Sequence, residues 1–393
     1  EFNALSEKMG WGLKTNDKLS FSPMLSPRVG FRWDINNDRK YILRGGAGVF
    51  TGRIPFVWVS NNYSGTGLQL SSYDSNNSTV KGLELILDPN KQNANADKMK
   101  ASAGNQDVAV CDKNFKFAQN LRLNLGFDFE ALGIDWTAEA IYSKTLNDIL
   151  YKNLAQEQTG QTFSQKYGYE WDNRPLYQSV VKGTPIAGVY ALGNTSKGYT
   201  VNLSLKAEKH FNFGLDLMAS YTWTRSRSAA NGGSSVAKSN WTYQYTYRDC
   251  NDLEVGNSAY NVPHRIQASA YYHIKYGHQK QWQTTIGVIY QGKSGSPYTY
   301  YYYGDVNEDG SKGNDLFYIP TDAQIDKMRF EETKYNKNTF TNRMFGDNHG
   351  DKLTEEMQRE MLKKWIAEDS YLSKHRGEYY ERYADNLAFE HHF

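Results

Sequence analysis

The chain has 393 residues, carries 45 Lys and Arg against 43 Asp and Glu, and is 15% aromatic with 30 Tyr and 9 Trp. Near-balanced charge removes any overall electrostatic case for nucleic acid, and a mean hydropathy of −0.73 without an apolar run near the roughly eighteen residues of a membrane helix excludes a helical membrane protein. A transmembrane β-barrel is not excluded, because half of every strand and all of every loop are polar, and its interfacial girdles would account for the aromatic excess.

In chain order, the first hairpin is Ser26-Pro-Arg-Val-Gly-Phe-Arg-Trp, a turn over 34–40, and the return Tyr41-Ile-Leu-Arg-Gly-Gly-Ala-Gly-Val-Phe. Val29, Phe31 and Trp33 fall on one face and Arg28 and Arg32 on the other, the period of two that marks a strand with unlike faces. Asn36-Asn37-Asp38 supplies turn chemistry. A stretch rich in Asn, Ser, Gly and Lys then fills 51–116.

The clearest hairpin follows. Leu121, Leu123, Leu125, Phe127 and Phe129 alternate with Arg122, Asn124, Gly126, Asp128 and Glu130. After a break at 131–133, Ile134, Trp136, Ala138, Ala140 and Tyr142 alternate with Asp135, Thr137 and Glu139. Each run is about ten residues, the length a tilted strand needs to cross a bilayer, whereas soluble strands are commonly nearer five or six.

A long loop spans 144–197. The third hairpin sets Tyr199, Val201, Leu203, Leu205 and Ala207 against Phe213, Leu215, Leu217, Ala219, Tyr221 and Trp223 through a turn at 209–212. After a loop over 226–261 the fourth sets Ile266, Ala268, Ala270, Tyr272 and Ile274 against Trp282, Thr284, Ile286, Val288 and Tyr290. The last and longest loop, extracellular in this reading, is 292–385.

Short and long connections thus alternate, as in outer-membrane barrels with short periplasmic turns and long extracellular loops. The expected fold is all-β, a large antiparallel transmembrane β-barrel with about eight or nine strands present, the ninth starting within Leu387–Phe393. The alternation puts Leu123, Phe127, Trp136, Leu203, Leu217 and Ile286 toward lipid. It puts Arg122, Asp128, Glu139, Asn202 and Asp216 toward the lumen, within a mixed-sign wall that also holds Arg28, Arg32, Glu130, Asp135, Lys206 and Glu208. Slipping one strand by one residue would place charges in hydrocarbon at roughly 2–4 kcal/mol each near the midplane. Trp33, Trp136, Trp223, Trp282 and Tyr290 read as lipid-facing or interfacial anchors.

Eight strands can close a small barrel, but loops this long suit a larger one. Glu1-Phe-Asn-Ala-Leu has no secretory leader. The expectation is a part, over 1–393, of one larger barrel domain, with exposed sheet edges near 21–33 and 282–291.

Leu25-Ser-Pro-Arg-Val-Gly-Phe-Arg-Trp-Asp and Leu43-Arg-Gly-Gly-Ala-Gly-Val-Phe-Thr-Gly-Arg-Ile-Pro resemble TonB-dependent outer-membrane transporters of Bacteroidota. The likeness is nearest the Oar-like branch, with the SusC/RagA-like branch a neighbour. Asn261-Val-Pro-His-Arg-Ile, Asp305-Val-Asn-Glu-Asp-Gly with Asn314-Asp-Leu-Phe-Tyr-Ile-Pro, and His375-Arg-Gly-Glu-Tyr-Tyr-Glu-Arg agree in the family's order. The resemblance implies a barrel of roughly twenty-two strands around an N-terminal plug, with this chain a C-terminal part. The plug, the TonB-contacting segment and the final strands are then outside this sequence.

Asp305, Asn307 and Asp309, followed by Gly310, have the alternate-oxygen spacing of a calcium loop. Leu316 stands where an EF-hand has its bidentate acid, leaving Asp315 as the substitute ligand. The plainer reading is a loop held by Asx turns without metal. Arg44-Gly-Gly-Ala-Gly lacks the Lys-Ser/Thr ending of a phosphate loop, so its glycines mark curvature or close approach. Leu353, Met357, Met361, Trp365 and Ile366 have helical spacing, for an amphipathic helix that covers its own loop or docks a surface lipoprotein. Cys111 and Cys250 fall in loops on one side, free to pair or stay reduced. His264 and His391-His392 lack zinc companions, and no catalytic constellation stands out, so the chain is not expected to be an enzyme.

The expected function is outer-membrane uptake of a nutrient, captured by the loops and driven by the TonB complex through segments outside this sequence. The expected surroundings are outer-membrane lipid, and no nucleic acid. One alternative is an adhesion, assembly or scaffolding barrel whose loops bind a partner without transport; another is a soluble all-β calcium-binding hydrolase.

Overall fold

The computed structural model describes residues 2–17, 23–66, 86–91, 106–334 and 352–393. Among the described residues, thirteen strands between 28 and 293 carry most of the fold. They are β1 (Arg28–Asp34), β2 (Tyr41–Thr51), β3 (Gln106–Cys111), β4 (Gln119–Ala131), β5 (Ile134–Asn153), β6 (Gln156–Thr162), β7 (Pro175–Ser179), β8 (Ile186–Thr195), β9 (Gly198–His210), β10 (Leu215–Ser228), β11 (Gly256–Asn257), β12 (His264–Tyr276) and β13 (Trp282–Lys293). The antiparallel main sheet runs β1-β2-β4-β5-β9-β10-β12-β13 and ends on the short strand Glu390–His392.

Register confirms the two faces. Trp33, Leu43, Phe127, Ala138, Leu205, Tyr221 and Ile266 stand opposite one another in a single row across seven strands. The row one residue along reads Arg44, Gly126, Glu139, Ser204, Thr222, Arg265 and Lys293. Side chains alternate faces along a strand, so one row is the lipid surface and the other the lumen wall. Leu123, Leu203, Leu217 and Ile286 are 42%, 47%, 39% and 57% exposed. A contiguous leucine-rich face without protein over it is a membrane surface, because soluble monomers rarely show one. Exposed Trp33, Tyr41, Phe213, Tyr276 and Trp282 all flank short turns, forming the lower aromatic girdle.

The lumen wall is charged and internally paired. Arg44 donates to Asp128 Oδ2 at 3.2 Å and to Glu139 Oε1 at 2.9 Å, spanning three strands. Gly126 permits the crossing, since a Cβ there would sit 2.8 Å from the Arg44 guanidinium carbon. In the Arg44-Gly-Gly-Ala-Gly run, a Cβ on Gly45 would meet the Phe31 ring at 2.8 Å, so the close approach comes from the neighbouring strand.

The sheet does not close: β1 and Glu390–His392 are not neighbours, and the sheet is a partial barrel. One exposed edge is β1, with Phe21 and Ser22 outside the described residues. The other is β13, covered only where Gln291–Lys293 pairs with Glu390–His392, so Gln291 itself is paired. The last segment does add the ninth strand of this path.

The loops depart most from the sequence expectation. β5 continues through Lys144 to Asn153 instead of ending at Tyr142. Twenty strand residues span about 65 Å at roughly 3.3 Å each, so β5 rises well beyond the hydrocarbon layer. There β5 pairs with β8, and β8 pairs in parallel with β3. Tyr190 and Leu192 pack on one side with Ile149, Tyr151, Cys111, Trp241 and Cys250. Val189 and Ala191 pack on the other with Val108, Val110 and Phe2 of the N-terminal helix Phe2–Lys8. A third cluster joins Leu316, Phe317 and Ile319 to Ile366 and Tyr380. The long loops therefore form one packed layer on the barrel rim. Cys111 and Cys250 share the first cluster as free buried thiols.

The helix expected around Met357 is Glu355–Glu368, capped by Thr354, whose side chain accepts from Met357 N. Ile366 is fully buried and Leu362 and Trp365 pack against the third cluster, so this helix covers its own loop.

Candidate functional site

The centre of the loop layer is Arg174, at the start of the sequence that becomes β7. Its side chain is fully buried. Nε donates to both oxygens of Asp172, Nη1 to Asp315 Oδ1 at 3.1 Å, and Nη2 to the Leu316 carbonyl at 3.0 Å. Its guanidinium lies 5.2 Å and 5.6 Å from the Tyr302 and Tyr379 ring centroids, and Tyr379 OH donates to Asp172 Oδ1 at 2.8 Å. Arg174 thus ties the β6–β7 hairpin to the 305–315 loop and to the chain near Tyr379. A buried cation persists only with such complete partnering.

The four calcium candidates separate into three environments. Asp305 is exposed, and its Oδ2 accepts from Gly310 N at 2.9 Å, where Gly310 has φ +86°. Asn307 and Asp309 come together in the interior: Asp309 Oδ2 accepts from Asn307 Nδ2 at 3.1 Å and Asn314 Nδ2 at 2.7 Å, and Oδ1 from Ser311 N at 2.8 Å. Asp315 is turned to Arg174, with its Oδ2 accepting from Val306 N and Asn307 N. Among the described residues no group of three or more Asp, Glu, His or Cys side chains gathers as a metal cage. Asn314 Oδ1 is buried without a hydrogen bond beside this carboxylate. A cation there would take oxygens from Asn307, Asp309 and Asn314 in place of the two amide N–H bonds.

Burial dominates the electrostatics. It pushes the Asp309 carboxyl up to about 7, with the Asp315 charge adding to the rise. Burial also raises Asp315 to about 6, against the pull of Arg174 and two backbone N–H groups. Each is held above the usual carboxylate range, as desolvation of an acid requires.

Beside Arg174 the tip of the β6–β7 hairpin builds an aromatic cleft that no sequence motif marked. Thr162 and Gln165 form a capping box on the short helix Phe163–Tyr167, which ends at Gly168 in the left-handed region, φ +81°. The chain then turns so that Phe163, Tyr167, Tyr169 and Trp171 group together, with centroids 4.7 Å (Phe163–Tyr167), 6.0 Å (Phe163–Tyr169) and 5.4 Å (Tyr169–Trp171) apart. Tyr169 and Trp171 wall two adjoining spaces. The outer is a cleft of about 520 Å³ bordered by Tyr167, Glu170, Lys327 and Arg329. The inner is a hole of about 200 Å³ lined by Phe163, Tyr302, Val306, Tyr318, Pro320 and Met328, with Asp172 at its wall.

No curated protein matches the sequence. Among solved structures, the outer membrane transporter YddB from Escherichia coli is similar at 14% identity with a TM-score of 0.36, over 69% of this chain and 29% of that chain. This chain therefore spans less than a third of the transporter's length. The family model for the outer membrane beta barrel domain matches residues 12–365. With a leucine-rich face turned to lipid, a charged face turned inward and long loops packed at one end, the chain belongs to the outer membrane β-barrel domain family and resides in the bacterial outer membrane.

Proposed function

We propose that this barrel takes up a nutrient too large or too scarce for open porins, capturing it with the loop layer and passing it inward with energy delivered through TonB. The observation that carries the reading is the loop layer itself: the long connections pack around buried cores, and the strands they join carry a charged face with Arg44 bridging Asp128 and Glu139. Capture needs such a rigid, specific surface outside, and passage needs a polar wall beneath it. The motifs shared with TonB-dependent transporters of Bacteroidota support the same assignment. In this reading a plug carried elsewhere in the parent polypeptide closes the lumen, because a wide barrel without one is an open pore.

The test is uptake of labelled peptide and glycan mixtures by cells with and without the gene, each with and without a protonophore. The proposal expects gene-dependent accumulation that the protonophore abolishes. Retained surface binding with no gene-dependent accumulation would overturn transport and favour adhesion or assembly.

A further inference from the structure

We propose that the cleft walled by Tyr169 and Trp171 binds a peptide segment, seating one large apolar side chain in the inner hole and adjacent acidic groups on Lys327 and Arg329. The inference names the substrate class for the uptake reading and rests on it only in taking the bound peptide to be the solute transported. Two observations carry it.

The first is the chemistry of the hole. Its walls are aromatic and aliphatic, and the one carboxylate there is spent: Asp172 accepts from Arg174 on both oxygens and from Tyr379 on one. A group that enters meets mainly apolar surface, with the Tyr169 and Tyr318 hydroxyls and the Trp171 indole N–H as polar atoms on the walls beside Asp172. A sugar ring would bury more hydroxyls than these can pair, which is costly, whereas an aromatic or branched side chain would lose only water. The hole is the size of one such side chain, and buried aromatic anchors of this kind dominate recognition.

The second is charge. Several nearby cations are matched: Lys166 with Glu308, Arg359 with Glu355, Lys363 with Asp326 and Arg376 with Asp322. Lys327 and Arg329 are exposed and have no carboxylate partner among the described residues. They face the cleft with the single carboxylate of Glu170. Unpaired cations beside an apolar hole are complementary to an acidic residue next to an apolar one, and such complementarity sets partner choice.

The test uses the intact protein purified from outer membranes in detergent, with fluorescence anisotropy of labelled pentapeptides. The probes are Ala-Asp-Trp-Asp-Ala, Ala-Asp-Ser-Asp-Ala and Ala-Lys-Trp-Lys-Ala, with oligogalacturonate as competitor. The acidic tryptophan peptide should bind best, and the serine peptide about tenfold or more weaker. The double variant Lys327→Glu, Arg329→Glu should reverse the preference toward the lysine peptide, and Trp171→Ala should weaken the acidic peptide about tenfold. Because Trp171 also supports the hairpin tip, Trp171→Phe and the exposed charge reversal keep the test decisive if the alanine variant misfolds. Unchanged preference in the charge reversal, or oligogalacturonate displacing a peptide that otherwise shows no tryptophan dependence, overturns the proposal. Peptide binding without energised uptake refutes transport and leaves the cleft assignment standing. Energised uptake untouched by these variants does the reverse.

Discussion

Replacing Arg174 with Met is the sharpest perturbation of the loop layer. The substitution keeps an unbranched apolar stem of similar reach and removes the bonds to Asp172, Asp315 and the Leu316 carbonyl. Asp315 is 0% exposed and Asp172 5%, so neither carboxylate can recover its lost partner from bulk water. Breaking a buried ion pair from one side costs about 3–5 kcal/mol, chiefly because the opposite charge is left buried. The partners of Arg174 all lie in the loop layer, so the cost falls there. The assay is limited proteolysis of the intact protein in detergent, with cleavage mapped within 163–180 and 300–320, beside heat-modified gel mobility for the barrel. Arg174→Met should raise cleavage there by about two to three and a half orders of magnitude in the open-state limit, at about tenfold per 1.4 kcal/mol, with the barrel still folded. Adding Asp315→Asn should recover part of the loss by removing the stranded charge. Equal protection in Arg174→Met and the parent, or no recovery in the double variant, would refute the reasoning.

Asp309 gives a pH dependence with a definite sign. Its folded carboxyl titrates near 7, above the ordinary range, so its contribution to stability is fully present at low pH and is lost as pH rises from about 4 to 7. Loop protection should fall over that window, with Asp315, raised to about 6, contributing in the same sense; Asp309→Asn should make the profile shallower and be the more protected form at pH 8. On the strands, Leu217→Arg should cost roughly 2–4 kcal/mol near the midplane and reduce the heat-modifiable folded band, whereas Gln267→Arg on the lumen face should leave it intact. If calcium sits among Asn307, Asp309 and Asn314, a chelator should speed cleavage within 305–315 of the purified protein; identical digests with chelator and with added calcium remove the metal.

The membrane strands were legible because lipid and lumen impose a period of two on every residue they touch. The hairpin from Leu121 to Tyr142 shows it without interruption, and Leu123 indeed pairs with Tyr142. The signal fails where β5 leaves the membrane. Asp148-Ile-Leu-Tyr no longer alternates, because Ile149, Leu150 and Tyr151 are all buried, Ile149 and Tyr151 in one cluster and Leu150 in another. The continuous apolar runs Val108-Ala-Val and Val189-Tyr-Ala-Leu carried a readable signal of strands covered on both faces, hidden within stretches otherwise typical of loops. Arg174 and its partners were not legible: Asn173-Arg-Pro has no local mark, and Asp315 lies 141 residues away. The aromatic cleft shares that difficulty, since Tyr167-Gly-Tyr-Glu-Trp is visible in sequence but its meeting with Lys327 and Arg329 is made only by the fold. The metal-like spacing at Asp305 announced a structured loop, yet it could not reveal that Asp315 turns to an arginine.

Intact cells offer the most direct test of the architecture on which transport depends. Single cysteines placed at Lys327 on the loop layer and at Gln279 in a short turn would be exposed to a membrane-impermeant maleimide. The native Cys111 and Cys250 are buried and contribute little background. The barrel with long loops outside requires Lys327→Cys to label in intact cells and Gln279→Cys to label only after the outer membrane is permeabilised. Labelling of Gln279→Cys in intact cells, with Lys327→Cys protected until permeabilisation, would invert the barrel and contradict capture by the loop layer.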